Sequence, residues 1–202
     1  MITSDALSFP AIEEDIWRFL TAGSKHPKEA FYTGTLGTQS ASGIELRMVV
    51  LREVNVDEKK TICYSDKRAG KVAEIQKNPL VSWLFWDSEK RIQLRLSGTA
   101  TVEINNQFTD THWANTTPSN RRSYMAIPAP GSFLDHPASG LPSELDTREP
   151  TLEESERGKM NFAVIVSTIH QIDWLHLGSK GHHRAIFNYE NGVLAKFSWI
   201  VP

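Results

Sequence analysis

Apolar residues recur along this chain mostly at every second position, in short runs separated by turn-forming residues. The clearest run is Arg91–Leu96, where Ile92, Leu94 and Leu96 alternate with Arg91, Gln93 and Arg95. Such alternation sends one face of a strand into a core and leaves the other polar. With Leu80–Trp86 before it and Asp87–Lys90 between, it predicts a hairpin that runs on to Glu103. Further strands are expected at Phe31–Gly37, Ile44–Val54, Thr61–Ser65, Met160–Ser167, Gln171–Leu177, Arg184–Tyr189 and Val193–Ile200. The last two flank Asn191-Gly192, a type I′ hairpin signal, since both turn positions need positive φ.

Helical spacing is confined to a few places. Ser8-Phe9-Pro10 starts a helix with Ile12, Ile16, Phe19 and Leu20 on one side and acidic residues expected in its first turn. A short second helix opens near Arg68 and Lys71, carries Val72 and Ile75 on one face, and stops at Asn78-Pro79, because a residue before proline avoids helical geometry. A third helical stretch is expected between Asn106 and Tyr124, anchored by Phe108 and Trp113, with one or two turns more at Thr151–Arg157. Between them, Pro128, Pro130, Pro137, Pro142 and Pro150 mark a long irregular loop at about 126–150, the kind of segment that often carries function. Many short strands and few helices predict a mainly β chain, an antiparallel barrel or sandwich, as one domain over 1–202.

Composition narrows the function classes. A chain of 202 residues can bury a sizeable core. The net charge of −2 argues against a general nucleic-acid binder, which needs a basic face. No run approaches the roughly 18 apolar residues of a membrane span. An acidic start (Glu13, Glu14, Asp15) without a basic-then-apolar leader makes a cytoplasmic protein the expectation. The lone cysteine, Cys63, sits in an apolar strand and reads as a small buried hydrophobe. His170, His176, His182 and His183 match no tight ligand spacing, so no metal site is expected.

The candidate chemistry lies between Arg47 and Gly98. Arg47-Met48-Val49-Val50-Leu51-Arg52 is followed by Tyr64-Ser65, by Arg68 and Lys71 at a helix start, and by Gln93 on the polar face of a strand. Cations, a hydroxyl and helix N-terminal amides suit a phosphate, while strand backbone and an amide side chain suit the edge of a flat ring. A regular strand would put Arg47 and Arg52 on opposite faces, so a bulge or strand end is needed for both to touch one ligand. The simpler division sends Arg47 to the phosphate and Arg52 to the ring or substrate space.

In order, spacing and residue type, Phe31 to about Glu103 resembles the FMN-binding half of the pyridoxamine 5′-phosphate oxidase-like split-barrel family, and the C-terminal strands resemble it more loosely. The resemblance implies a six-stranded antiparallel Greek-key split barrel with peripheral helices. It also implies a homodimer holding FMN between its subunits, a small-molecule substrate and flavin-dependent oxidoreductase activity. It assigns cofactor contacts to Arg47, Met48, Val49, Val50, Leu51, Arg52, Tyr64, Ser65, Arg68, Lys71, Gln93 and Arg184, with no catalytic acid or base. The alternative on the same fold is a non-catalytic flavin-binding or haem-handling protein. Gly70 stands where the oxidases usually have arginine, leaving that role to Arg68, and Ile92 replaces the arginine before Gln93. Leu175, or Trp174 with a one-residue shift, fills the usual tryptophan position, and Lys180-Gly181-His182-His183 replaces an arginine-any-histidine substrate motif. Arg121, Arg122 and Ser123 remain from the substrate segment without its spacing. The expectation is intact flavin binding with weak or absent turnover of pyridoxamine 5′-phosphate.

Overall fold

The structure, a computed structural model, describes residues 8–202; the start of the N-terminal stretch read above for a leader lies outside them. Helix α1 (Phe9–Lys25) is capped by the Ser8 side chain, which accepts from the Ala11 N–H at 3.4 Å. Ile12, Ile16, Trp17 and Leu20 form its buried stripe. Its first turn carries no acidic residue, contrary to expectation. Glu13 lies further along and pairs instead with Lys59 at 3.1 Å, whose ammonium sits 5.0 Å from the centre of the Trp17 ring.

The strands are β1 (Thr33–Gln39), β2 (Ile44–Val50), β3 (Glu53–Asn55), β4 (Lys60–Asp66), β5 (Leu80–Asp87), β6 (Ile92–Glu103), β7 (Phe162–His176), β8 (His183–Glu190) and β9 (Val193–Ile200). Two departures from the expected boundaries have clear causes. The stretch expected as one strand over 44–54 breaks at Leu51, where the backbone changes partner: Leu51 N–H donates to the Tyr32 carbonyl at 2.9 Å, and Arg52 N–H to the Ile62 carbonyl at 2.8 Å. The two strands expected at 160–177 form one long β7, because a bulge absorbs their junction. Ser97 pairs with Gln171 but Gly98 pairs with Ile169, leaving His170 as the extra residue. Gly98 makes this possible, since a Cβ there would lie 2.0 Å from the Thr168 carbonyl oxygen.

Among the described residues all strand pairs are antiparallel, in one nine-stranded sheet ordered β2-β1-β5-β6-β7-β4-β3, with β8 joined to β7 and β9 to β8. The count exceeds six because β3 separates from β2 and the β8–β9 hairpin extends the C-terminal half of β7. The sheet does not close: β2 ends it on one side and comes alongside β4 without forming a ladder. Asn191 and Gly192 take φ of 52° and 78°, as a type I′ turn requires.

The core inside the curl combines the α1 stripe with Leu36, Trp83, Phe85, Leu94, Leu96, Ile165 and Phe187. Cys63 is buried within it. Helix α2 (Gly70–Lys77) buries Val72 and Ile75 and ends at Asn78. Past β6 come α3 (Gln107–Ala114), α4 (Pro118–Arg121) and a 3₁₀ turn at Arg122–Met125. Trp113 and Tyr124 pack there on Phe162 in a second cluster, whereas Phe108 stays half-exposed on His112. Before β7, α5 (Leu152–Ser155) runs into a 3₁₀ stretch, Glu156–Asn161. Among the described residues no helix is long and apolar enough to cross a membrane.

Candidate functional site: a pocket in the split of the barrel

The gap between β2 and β4 is where a ligand can reach the backbone. As an edge strand, β2 has no ladder partner among the described residues on the side away from β1, so backbone donors and acceptors of Met48–Val50 face the opening. There a pocket of about 300 Å³ is lined by Met48, Val49, Val50 and Arg52 on one side and by Tyr64, Ser65, Asp66, Ala69 and Lys71 on the other. Ser123, Tyr124 and Pro130 form its outer wall.

One end of the pocket suits an anion. Lys71 is half-buried, its Nζ donates to Ser65 Oγ at 3.2 Å, and among the described residues it has no carboxylate partner. Burial lowers its pKa, and the nearby charge of Arg47 also pushes it down, so a bound anion would relieve both effects. Helix α2 begins beside it at Ala69, whose side chain cannot cap the first-turn N–H groups. An unpartnered ammonium, a hydroxyl and an uncapped helix start are the donors that a phosphate monoester needs. The other end carries Arg52, whose guanidinium lies 5.4 Å from the centre of the Tyr64 ring. These residues fit FMN, with Lys71 and Ser65 at the phosphate and β2 along the ring.

Not every residue proposed from sequence comes to this pocket. Arg47 donates to Thr38, to the Glu45 carbonyl at 3.0 Å and to Glu74 on α2 at 3.2 Å, so it sits at the pocket's edge with its charge already balanced. Leu51 is fully buried in the core. Arg68 turns away altogether. It forms a fork with Asp66 at 2.7 and 3.0 Å and donates to the Ala126 and Ile127 carbonyls at 2.9 and 3.1 Å, pinning the start of the long loop. It therefore does not replace the arginine missing at Gly70.

Gln93 and Arg184 lie on a different surface. Register places Met48 opposite Thr35, Thr35 opposite Leu84, Leu84 opposite Arg95, and Arg95 opposite Asp173, all on the outer face. Gln93 and Arg184 share this face, the latter on β8 opposite Leu175, which lies two positions along from Asp173. Arg184 grips Asp173 through two bonds of 3.0 and 2.8 Å, and Arg95 donates to the same carboxylate. Toward β2 the face turns apolar, with Ile44, Leu46, Met48, Leu84 and Trp86 all substantially exposed. Trp174 points the opposite way, into the core, while Leu175 shares the outer face with Gln93.

Sequence reading missed two neighbours of the site. His112 of α3 stands behind Tyr64, its Nδ1 3.1 Å from the phenol oxygen, and burial lowers its pKa. Asp173 is the anchor of Arg184; its place opposite Arg95 becomes visible only once the β6–β7 register is known.

Residues 13–104 match the family model of the pyridoxamine 5′-phosphate oxidase FMN-binding domain. Among solved structures, a pyridoxamine 5′-phosphate oxidase-related FMN binding protein from Nostoc punctiforme PCC 73102 has a TM-score of 0.66 at 20% identity, with 100% of each chain covered. PhzG from Burkholderia lata 383, solved in complex with tetrahydrophenazine-1-carboxylic acid, has a TM-score of 0.74 at 14% identity, covering 100% of this chain and 98% of that one. A protein related to general stress protein 26 from Clostridium acetobutylicum has a TM-score of 0.53 at 12% identity, over 88% and 99% of the two chains. No curated protein matches the sequence. The matched segment contains the whole β2–β4–α2 pocket apart from its outer wall, and the fold is shared over the full chain: residues 13–104 are similar to the pyridoxamine 5′-phosphate oxidase FMN-binding domain, and the chain as a whole has the split-barrel fold.

Proposed function

We propose that this protein is a cytoplasmic, homodimeric FMN-binding oxidoreductase acting on a small molecule. The observation that carries the reading is the pocket's anion end, where half-buried Lys71 and Ser65 meet an uncapped helix start beside an open strand edge. A bound flavin would supply hydride or electron transfer. The chain's own part is to hold the phosphate at Lys71, to line the ring with β2, and to keep water out with the Ser123–Pro130 wall.

The dimer follows from where the remaining candidates lie. Met48 belongs both to the pocket and to the exposed apolar face, so the pocket opens toward that face. A second copy docked there by a two-fold axis covers both pockets at once. It also brings each subunit's Gln93 and Arg184 toward the other's flavin, which accounts for their separation from Lys71 within one chain. An apolar patch of this kind on a protein surface marks an interaction site. PhzG, whose structure holds a ring acid, shares the fold, which supports a ring-shaped small-molecule substrate.

An absorbance spectrum after adding FMN and removing the excess tests the reading. The expected result is an oxidised-flavin spectrum, and Lys71→Ala should weaken binding by about 1.5–3 kcal/mol, the range for a hydrogen bond to a charged group. Colourless protein that ignores added FMN refutes the proposal, and a Soret band on adding haem would favour the haem-handling alternative.

A further inference from the structure

The cations near the pocket can be counted by what already holds them. Arg47 is paired with Glu74, and Arg68 with Asp66 and two loop carbonyls. Arg121 is buried, bonded to Glu156 at 2.6 Å and to the Trp113 carbonyl at 2.8 Å, with its guanidinium over the Trp113 ring. Arg122 donates to the Leu145 and Asp146 carbonyls, which closes the base of the long loop. Of the pocket-lining residues, Lys71 is committed to the flavin phosphate on the reading above. Arg52 is then the pocket's one remaining cation: among the described residues its side chain makes no hydrogen bond or ion pair.

The surroundings of Arg52 are flat and poor in other donors. Tyr64 lies beneath its guanidinium, and Tyr124 stands on the outer wall of the same pocket. The Tyr64 hydroxyl is engaged with His112, and the Ser123 hydroxyl donates to the Asn120 carbonyl at 3.0 Å. Such a site offers one planar fork between aromatic walls. A carboxylate matches that fork with both oxygens and carries one charge. A phosphate monoester carries nearly two charges and more acceptor oxygens than these residues can serve, and each unserved one costs free energy on leaving water.

We propose that Arg52 is the substrate-anchoring residue and that the substrate is a planar, ring-bearing monocarboxylate rather than a phosphate ester. This rests on the flavin reading, and the test keeps the two apart. FMN uptake is measured first by absorbance. The FMN-loaded protein is then titrated with quinoline-2-carboxylate and, separately, with pyridoxal 5′-phosphate, following the perturbation of the flavin bands. The carboxylate is expected to bind at least about tenfold more tightly than the phosphate ester. Arg52→Ala, at saturating FMN, should weaken the carboxylate at least about tenfold, the order expected for a lost charge-assisted pair. A gain-of-function variant guards against a merely disruptive effect: Ser123 is exposed at the pocket wall, so Ser123→Arg should fold and should shift the preference toward the phosphate ester. Tighter binding of pyridoxal 5′-phosphate to the unaltered protein, or carboxylate binding indifferent to Arg52→Ala, overturns the proposal. Failure to take up FMN overturns the cofactor reading and this one with it, and shows at the first step.

Discussion

Cys63 and Asp173 illustrate how burial acts on single ionisable groups here. Burial pushes the Cys63 thiol up to about 12, against smaller opposing effects from Lys71 and Arg52, so the reactive thiolate is absent at neutral pH. Native protein should resist iodoacetamide and label at once in guanidinium; rapid labelling of the folded form would contradict the packing described. For Asp173, burial opposes ionisation, but hydrogen bonds from Arg184 and Arg95 outweigh it and hold the carboxyl below its ordinary value. A carboxyl depressed in the folded state stabilises above its unfolded pKa, about 3.9, and loses that contribution as pH falls through the folded value. Asp173→Asn should therefore cost about 1–3 kcal/mol at pH 7. The gap in melting temperature from the parent protein should narrow below about pH 4, and a gap independent of pH would mean the charge is immaterial.

The β6–β7 pair is the element that shapes the sheet. Its bulge lets one long strand serve β4 with its first half and β8 with its second, and Gly98 is the residue that admits it. Gly98→Ala should thus destabilise through a clash with the Thr168 backbone, by about 1–3 kcal/mol or more. At roughly 2–4 °C per kcal/mol for a chain of this size, the loss is readily seen in thermal unfolding. A variant melting with the parent would show that the bulge relaxes freely. The break at Leu51 is the other decisive local event, because it ends β2 and leaves Arg52 lining the pocket while Arg47 stays with Glu74. The conflict between Arg47 and Arg52 on a regular strand is resolved in this way.

At the scale of the molecule, the proposed dimer would join the pocket's anion end in one subunit to the face of the other that carries Gln93 and Arg184. Leu46→Glu places a charge in the middle of the exposed apolar face without touching the pocket lining. Sedimentation at micromolar concentration should report a dimer for the parent and a monomer for the variant. FMN affinity should fall about tenfold or more with the loss of the covering subunit's charged contacts. A variant that stays dimeric with full affinity would place the interface elsewhere.

Much of this was legible in the linear chain. Alternation in Arg91–Leu96 determines which side of β6 enters the core, and Val72, Ile75 and Pro79 determine the extent of α2. The order of Arg52, Tyr64, Ser65 and Lys71 brings them to one pocket because β2, β4 and the start of α2 are neighbours both in sequence and across the split. Local sequence could not say which arginines are free. Besides Asp66 two residues away, Arg68 finds carbonyl acceptors 58 and 59 residues away, and Arg121 meets Glu156 at a separation of 35. A long charged side chain takes whatever unsatisfied carbonyl or carboxylate the fold brings within reach, and that pairing exists only after the loop has closed. Register acts in the same way: Asp173 meets Arg95 because the bulge at Gly98 sets how β6 and β7 align, and it meets Arg184 through the pairing of β7 with β8. The sequence thus determined the elements and the residue types of the pocket, while the tertiary structure decided which charges remain available for a ligand and which face they present.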